Sequence, residues 1–277
     1  MERNDIERSI IKTYRSILWR PFVRAVQEFL LVSNGDSIAV CVSGGKDSLL
    51  LAKLMQELKN HSDTVFSLRF IAMNPGFADQ NLTALKNNCE HLGIPLEIFD
   101  SNIFAAAKKI GGDNPCYMCA RMRRGFLYST AQKLGCNKIA LGHHFDDVIE
   151  TTLLNLLYAS NFSTMLPKLK SQNFPGIELI RPMVYIKEAS ILKYTKNAGI
   201  NPMDCGCTIG CRSTPSKRRE IKSLIASLKA IHKDVDKSIF TSAKNVNLNA
   251  VLGWKQGDER FDYLDFYDDF KTDEKEE

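Results

Sequence analysis

Apolar residues recur at helical spacing from the start of the chain. Ile6, Ile10, Tyr14, Ile17, Leu18, Phe22, Val26, Phe29 and Leu30 fall on one stripe and predict a helix over residues 5–32, with Pro21 inside it as a kink or a break. Asn34-Gly35-Asp36 turns the chain into an apolar run, Ser37-Ile38-Ala39-Val40-Cys41-Val42, which reads as a strand. An amphipathic stretch, Leu49-Leu50-Leu51-Ala52-Lys53-Leu54, follows as a helix. The alternation continues, with strands predicted over 65–73, 96–99 and 138–141 and helices over 79–92, 118–134 and 146–158. Gly93 and Gly135 stand where two of those helices should stop. Strands spaced by helices imply an α/β fold with a parallel sheet covered by helices on both faces. Helices over 189–198 and 216–231 predict a C-terminal helical extension. The chain thus divides into an N-terminal helical segment (1–34), an α/β domain (35–182), the extension (183–257) and a tail (258–277).

In such sheets ligands bind beyond the carboxyl ends of the strands. Three loops are expected on that rim: residues 43–48, Asn74-Pro75-Gly76-Phe77, and Gly142-His143-His144. In the first, Ser43-Gly44-Gly45-Lys46-Asp47-Ser48 joins a strand to a helix, so backbone N–H groups and the positive helix end face an anion. Two glycines let a phosphate approach the backbone, and Ser43, Lys46 and Ser48 add donors. It is not a Walker A loop, where four residues separate the glycines and Ser or Thr follows Gly-Lys. In the third, Asp146 and Asp147 open a helix. They suit its dipole as caps, and one of them is also placed to hold a Mg²⁺ that bridges phosphates, with Asp47 as a second ligand. His143 and His144 are either acid–base groups or walls of the site.

The stretch 43–48 resembles the PP-loop of the ATP-pyrophosphatase superfamily. That resemblance implies an adenine nucleotide alpha hydrolase-like fold that cleaves ATP to AMP and pyrophosphate and adenylates its substrate. Ser43, Gly44, Gly45, Lys46, Asp47, Ser48 and Gly142 would then bind ATP, and Lys46, Asp47, Asp147 and His143 would act in catalysis. Cys116-Tyr117-Met118-Cys119, followed by Ala120-Arg121-Met122-Arg123-Arg124-Gly125, narrows the likeness. With the PP-loop and Gly142-His143-His144-Phe145-Asp146-Asp147, this block resembles the tRNA 2-thiocytidine synthetase family in motif order and spacing over about residues 35–200. The resemblance implies replacement of a cytidine C2 oxygen by sulfur in a tRNA anticodon loop. It also implies a [4Fe–4S] cluster on three cysteines and a sulfur donor such as a cysteine desulfurase. Carried over, Cys116 and Cys119 are two ligands. The third falls in Asp204-Cys205-Gly206-Cys207-Thr208-Ile209-Gly210-Cys211, whose spacing departs from the family by one residue. Matching from Arg218 selects Cys207, with Cys205 and Cys211 as rivals.

Thiolates suit Fe–S or zinc rather than hard cations, and three ligands leave a position open. Zinc at these cysteines, in a PP-loop ligase acting on RNA or a small molecule, is the alternative. A 2-thiouridine synthetase is a nearer one, disfavoured by the lack of CxxC pairs in 1–40 and 212–277. A non-catalytic RNA-binding or metal-storage protein is disfavoured by the intact Ser-Gly-Gly-Lys-Asp-Ser loop.

Charge adds an RNA partner to this picture. The net charge is +5 over 277 residues, but residues 258–277 carry −7 and the rest +12. A basic body suits a polyanion, and Arg121, Arg123, Arg124, Lys168, Lys170, Arg181 and Lys217-Arg218-Arg219 are candidates to grip phosphates. With 44% hydrophobic and 25% charged residues and no long apolar run, the expectation is a cytoplasmic protein without membrane contact. Eight cysteines there are not disulfide staples, and Cys41, Cys89 and Cys136 read as buried small hydrophobes. The family resemblance also implies a homodimer, for which the long N-terminal helix is a candidate interface.

Overall fold

The computed structural model describes residues 2–104, 106, 115–203 and 217–269. The N-terminal stripe folds as α1 (Arg3–Ile11), a π-helical turn (Arg15–Trp19) and α2 (Arg20–Glu28) rather than one continuous helix. The buried positions Ile6, Ile10, Tyr14, Leu18, Phe22 and Val26 explain the break. A strict four-residue spacing drifts by about 40° per step around a 3.6-residue helix, and the wider π turn takes up that drift so the stripe keeps facing the core. Pro21 sits in the first turn of α2, where its missing N–H is not needed.

The chain then runs β1 (Ser37–Cys41), α3 (Lys46–His61), β2 (Ser67–Asn74), α4 (Asp79–Leu92), β3 (Leu96–Asp100), α5 (Pro115–Lys133), β4 (Lys138–Ala140) and α6 (Phe145–Tyr158). Next come β5 (Lys168–Lys170), β6 (Glu178–Ile180), α7 (Glu188–Asn197), α8 (Lys217–Ile231) and α9 (Val235–Ser242). A hairpin, β7 (Gly253–Gln256) and β8 (Glu259–Asp262), ends in a 3₁₀ turn (Tyr263–Asp269).

Six strands form one sheet in the order β3-β2-β1-β4-β6-β5, parallel except for the edge strand β5, which is antiparallel to β6. The expected parallel α/β sheet is therefore present, with an antiparallel edge added. Both faces of β1 are buried, and its side chains alternate between two cores. Ile38, Val40 and Val42 join Leu49, Leu50, Leu54 and the N-terminal helices on one face. Ala39 and Cys41 join Tyr128, Ala131 and Cys136 of the α5 side on the other. Lys53, buried to 1% exposure, ties the N-terminal layer down by donating to Glu7 Oε1 at 2.8 Å and to the Leu92 carbonyl at 3.0 Å.

The chain winds outward from β1 through β2 to β3 and then crosses back to place β4 on the other side of β1. The order reverses between β1 and β4, so a crevice opens at their carboxyl ends. The loops 43–48 and 142–144 flank it. The boundary expected between extension and tail, at 257/258, falls inside the turn of this hairpin: Gly257 at φ +63° supports the turn, and Trp254 stacks on Phe261 and Phe266 with ring centroids 5.3 and 5.1 Å away. Among the described residues no helix is long and apolar enough to cross a membrane.

Candidate active site at the β1–β4 switch point

Backbone conformation shapes the first loop. Gly44 has φ +83°, and Gly45 stands extended just before α3. Ser48 turns its hydroxyl back onto the Gly45 carbonyl at 2.9 Å and accepts the Ser43 N–H at 3.0 Å, which closes the loop over the start of α3. Gly142 meets this turn from β4. A Cβ there would lie 3.0 Å from the Asp47 carbonyl carbon and 3.1 Å from Ser48 N, so any larger residue would push the first turn of α3 away. The Met203 N–H donates to the Gly44 carbonyl at 2.9 Å, which fastens the segment before the second cysteine cluster onto the loop.

Charges fill the crevice in two linked chains. Lys46 Nζ lies 3.1 Å from Asp47 Oδ2 and 3.2 Å from Glu188 Oε1. Burial works against the charged amine, but the two carboxylates outweigh it and raise its pKa. Glu188 also meets Lys222 of α8 at 2.5 Å. Burial raises the Glu188 carboxyl, and Lys222 and Lys46 together pull it below its ordinary range. The second chain starts at His144, whose Nε2 is 3.7 Å from Asp47 Oδ1 and 3.5 Å from Asp147 Oδ2. Asp147 caps α6 by accepting the His144 N–H at 3.0 Å and accepts from Arg218 at its other oxygen, 3.2 Å away. Arg218 reaches on to Glu150 at 2.9 Å. Burial raises the Glu150 carboxyl despite this guanidinium.

The expected residues Ser43, Gly44, Gly45, Lys46, Asp47, Ser48, Gly142, His143 and Asp147 thus gather around one crevice. Asp146 does structural work, accepting the Glu188 N–H at 2.7 Å to hold α7 in place. His143 is largely buried. Desolvation, with Arg181 next, pushes its pKa down to about 4, so the imidazole is neutral at neutral pH, and its Nδ1 has no hydrogen-bond partner. In the Asn74–Phe77 loop, Asn74 Oδ1 accepts the N–H groups of Gly76 and Phe77 at 3.1 and 2.8 Å, and Phe77 meets Phe104 edge-on.

Two groups depart from their expected roles. Arg218, a candidate for gripping RNA, instead pairs with the acids of the crevice, and Lys168 pairs with Glu178 at 3.3 Å and the Leu30 carbonyl at 2.9 Å. Glu188, Lys222 and Glu150 join the site unforeseen. On a sequence they are ordinary charges of helix faces; the docking of α7 and α8 brings Glu188 and Lys222 to Lys46, and Arg218 of α8 bridges Glu150 to Asp147 one turn earlier on α6.

Among the described residues no three His, Cys, Asp or Glu side chains come together as a complete metal site. Asp47 Oδ1 is buried without a hydrogen-bond partner beside Asp147 and His144. That orphaned oxygen fits a hard cation whose remaining ligands are phosphate oxygens and water, the usual manner for Mg²⁺. Cys119 is half-buried on α5. Cys116 belongs to the first turn of the same helix, three residues earlier, the spacing that puts two side chains on one helix face; its side chain is not among those described. Soft thiolates at that spacing suit a cluster or zinc. Cys205, Cys207 and Cys211 lie outside the described residues, but both flanks of their segment are placed: Met203 on Gly44 and Arg218 on Asp147.

Residues 18–204 match the PP-loop domain family. A tRNA-cytidine(32) 2-sulfurtransferase from Syntrophotalea carbinolica is 37% identical over 207 residues, covering 74% of this chain and 79% of the relative. One from Geobacter sulfurreducens is 34% identical over 231 residues, covering 83% and 89%. Among solved structures, the U34-tRNA thiolase NcsA from Methanococcus maripaludis with its [4Fe-4S] cluster superposes with a TM-score of 0.66 at 23% identity, covering 81% of this chain and 76% of that one. That likeness concerns the fold. The sequence relationships go further, because they span the rim loops, the CxxC turn and the approach to Met203: the chain belongs to the PP-loop family and, within it, to the family of the tRNA-cytidine(32) 2-sulfurtransferases.

Proposed function

We propose that this protein is an ATP-dependent tRNA sulfurtransferase that replaces the C2 oxygen of an anticodon-loop cytidine, position 32 as in its relatives' names, by sulfur. One observation carries the reading: the segment holding Cys205, Cys207 and Cys211 is tied at one end to the phosphate loop, through Met203 and Gly44, and at the other to Asp147, through Arg218. The placement of these two flanks supports a reading in which nucleotide chemistry and thiolate chemistry share one crevice.

The triphosphate lies on the N–H groups of the Gly44–Gly45 turn and the α3 N-terminus, with Lys46 on its outer charge. Asp47 and Asp147 would hold Mg²⁺ against the same phosphates. The cytidine O2 attacks the α-phosphorus, the bond to pyrophosphate breaks, and the oxygen becomes part of a good leaving group. Sulfide sulfur then adds at C2, and AMP departs with the original oxygen. Cys116, Cys119 and Cys207 would hold a [4Fe–4S] cluster, which when bound would supply the sulfur. His143, neutral and with Nδ1 unpartnered, accepts a hydrogen bond in the crevice and brings no positive charge of its own to the adenylated base. The reacting base must leave its stack to enter, which favours a loop nucleotide.

Anaerobic purification with iron, sulfide and zinc analysis tests this, together with thiocytidine assay of the tRNA. The expected result is a brown protein with about four irons and four sulfides per chain. Cys119→Ala should lose that absorption and all thiolation while retaining tRNA binding. A colourless protein holding stoichiometric zinc, or undiminished thiolation by Cys119→Ala, would overturn it.

A further inference from the structure

Beside the active site lies a second concave surface, on the edge of the sheet away from β3. A groove of about 520 Å³ runs between α5 and the loop that joins β5 to β6, lined by Arg121, Arg124, Tyr128, Lys170, Gln172 and Phe174 among others. Three cations line it and no carboxylate does. Arg121, Arg124 and Lys170 form no ion pair with any described residue, whereas most other cations near the site are paired. The walls are built rather than loose. Tyr128 and Phe174 meet at 5.4 Å to form the floor, the Phe174 N–H bonds to Ser171 Oγ at 3.2 Å, and Gln132 holds the Pro175 carbonyl at 3.1 Å.

The groove also points somewhere. Its α5 end reaches Ala120 and Arg121, the residues directly after Cys119. Beneath it, Arg181 has a buried Nε with no hydrogen-bond partner. Desolvation pushes its pKa down to about 10, and it senses Tyr128 and Arg124 on one side and Asp147 on the other. Positive charge therefore continues from the groove toward the crevice.

We propose that this groove holds the sugar–phosphate backbone of the tRNA next to the reacting base, with Arg121, Arg124 and Lys170 on its phosphates; this rests on reading the chain as a tRNA sulfurtransferase. Unpaired cations along a preformed channel track a nucleic-acid backbone without reading its sequence. Gln172 and Asn173 add neutral hydrogen-bonding groups. A strand following the groove is delivered at the CxxC turn, where thiolation is assigned. The groove thus sets which nucleotide reaches the cysteines, by distance along the backbone rather than by base contacts.

The test is binding of unmodified tRNA transcript to the purified protein across a salt series, followed by thiolation kinetics. For the double variant Arg124→Ala/Lys170→Ala, tRNA affinity at low salt should fall at least tenfold. The slope of log affinity against log salt should shrink by roughly 0.7–0.9 for each cation removed. The kinetic loss should sit in KM for tRNA, and Lys170→Arg should retain wild-type affinity. Removing two exposed charges elsewhere, Lys12→Ala/Lys59→Ala, controls for net charge and should leave the slope near wild type. Calorimetric ATP binding checks that the nucleotide site still folds. An unchanged slope and KM in the groove variant would overturn the proposal while leaving the sulfurtransferase reading in place. Thiolation that fails only with a protein sulfur donor, at unchanged tRNA affinity, would overturn it in favour of a protein surface. Wild-type protein that binds no tRNA at all would overturn both readings.

Discussion

The phosphate loop and the C-terminal helices meet at the same carboxylates, yet different forces hold them there. Around the loop the constraint is steric and backbone-made. Gly44 takes a positive φ, Gly142 lets the end of β4 meet the first turn of α3, and the residues behind them, Val40, Leu49 and Leu50, are fully buried. By contrast α8 buries only Ile221 and Ile225 fully, and charge makes up much of its docking. Arg218 sits on Asp147 and Glu150, Lys222 on Glu188, and Lys187 and Lys229 converge on the buried Asp236 of α9 at 2.6 and 2.9 Å. A steric frame is indifferent to salt and ligand, whereas an ion-paired one competes with whatever charge enters the site. The half that binds phosphate is therefore preset, and the half that carries the second cysteine segment is positioned to respond to it.

The largest effect that separates the two should come from Asp236→Ala. Burial raises that carboxyl, but Lys187 and Lys229 together bring it down to about 2. Removing it takes away a buried acceptor and leaves two half-exposed ammonium groups converging without a counter-charge, a loss of about 2 kcal/mol. Because the folded-state pKa lies below the unfolded one near 3.9, this contribution is present above pH 4 and fades as pH falls toward 2. Urea unfolding at pH 7 should show the loss in α8 and α9, with ATP affinity changed far less. A variant as stable as wild type would mean that the apolar contacts of Ile221, Ile225 and Phe240 alone seat these helices.

Gly44→Ala probes the steric side. At φ +83° an alanine is strained by roughly 1–2 kcal/mol, and its Cβ would collide with Met203 Sδ. The thioether can swing aside, but the strain stays in the loop that must present its N–H groups to phosphate. ATP affinity should drop about tenfold, equally at 50 mM and 500 mM salt. A drop that salt abolishes would place the loop among the charge-held parts.

The same contrast governs what could be read from the residues alone. The strand into Ser43-Gly44-Gly45 and the helix out of it are legible because an apolar run, a glycine pair and an amphipathic helix each leave a local mark. β5 and β6 leave none. Lys168-Leu169-Lys170 and Glu178-Leu179-Ile180 are too short for a period to register, and they become strands only by pairing with each other and with β4. The N-terminal stripe is legible, and Pro21 marks a break within it, but the form of that break, a π turn over Arg15–Trp19 just before the proline, is not, since it is written in the difference between a four-residue and a 3.6-residue repeat. At the site, Lys46, Asp47 and Asp147 sit in loops and first turns, where the motif itself gathers them. Glu188 and Lys222 are joined across 34 positions of chain, and nothing in either neighbourhood distinguishes them from solvated surface.

The smallest expected effect, Lys222→Ala, is also the sharpest test of that coupling. Glu188 now divides its carboxylate between Lys222 and Lys46. Without Lys222 it turns wholly to Lys46, and an incoming phosphate must compete with it for the ammonium. Both groups are partly exposed, so the cost is that of a surface pair, within about 1 kcal/mol. Isothermal titration should show ATP binding weakened two- to fivefold at 50 mM salt and restored to near wild type at 500 mM, where the pair is screened. Glu188→Gln in the same background should recover the low-salt affinity, because the competitor is then neutral. If Lys222→Ala binds ATP as wild type does at low salt, α8 sits beside the nucleotide site without sensing it, and the link between the second cysteine segment and the phosphate loop runs through Met203 alone.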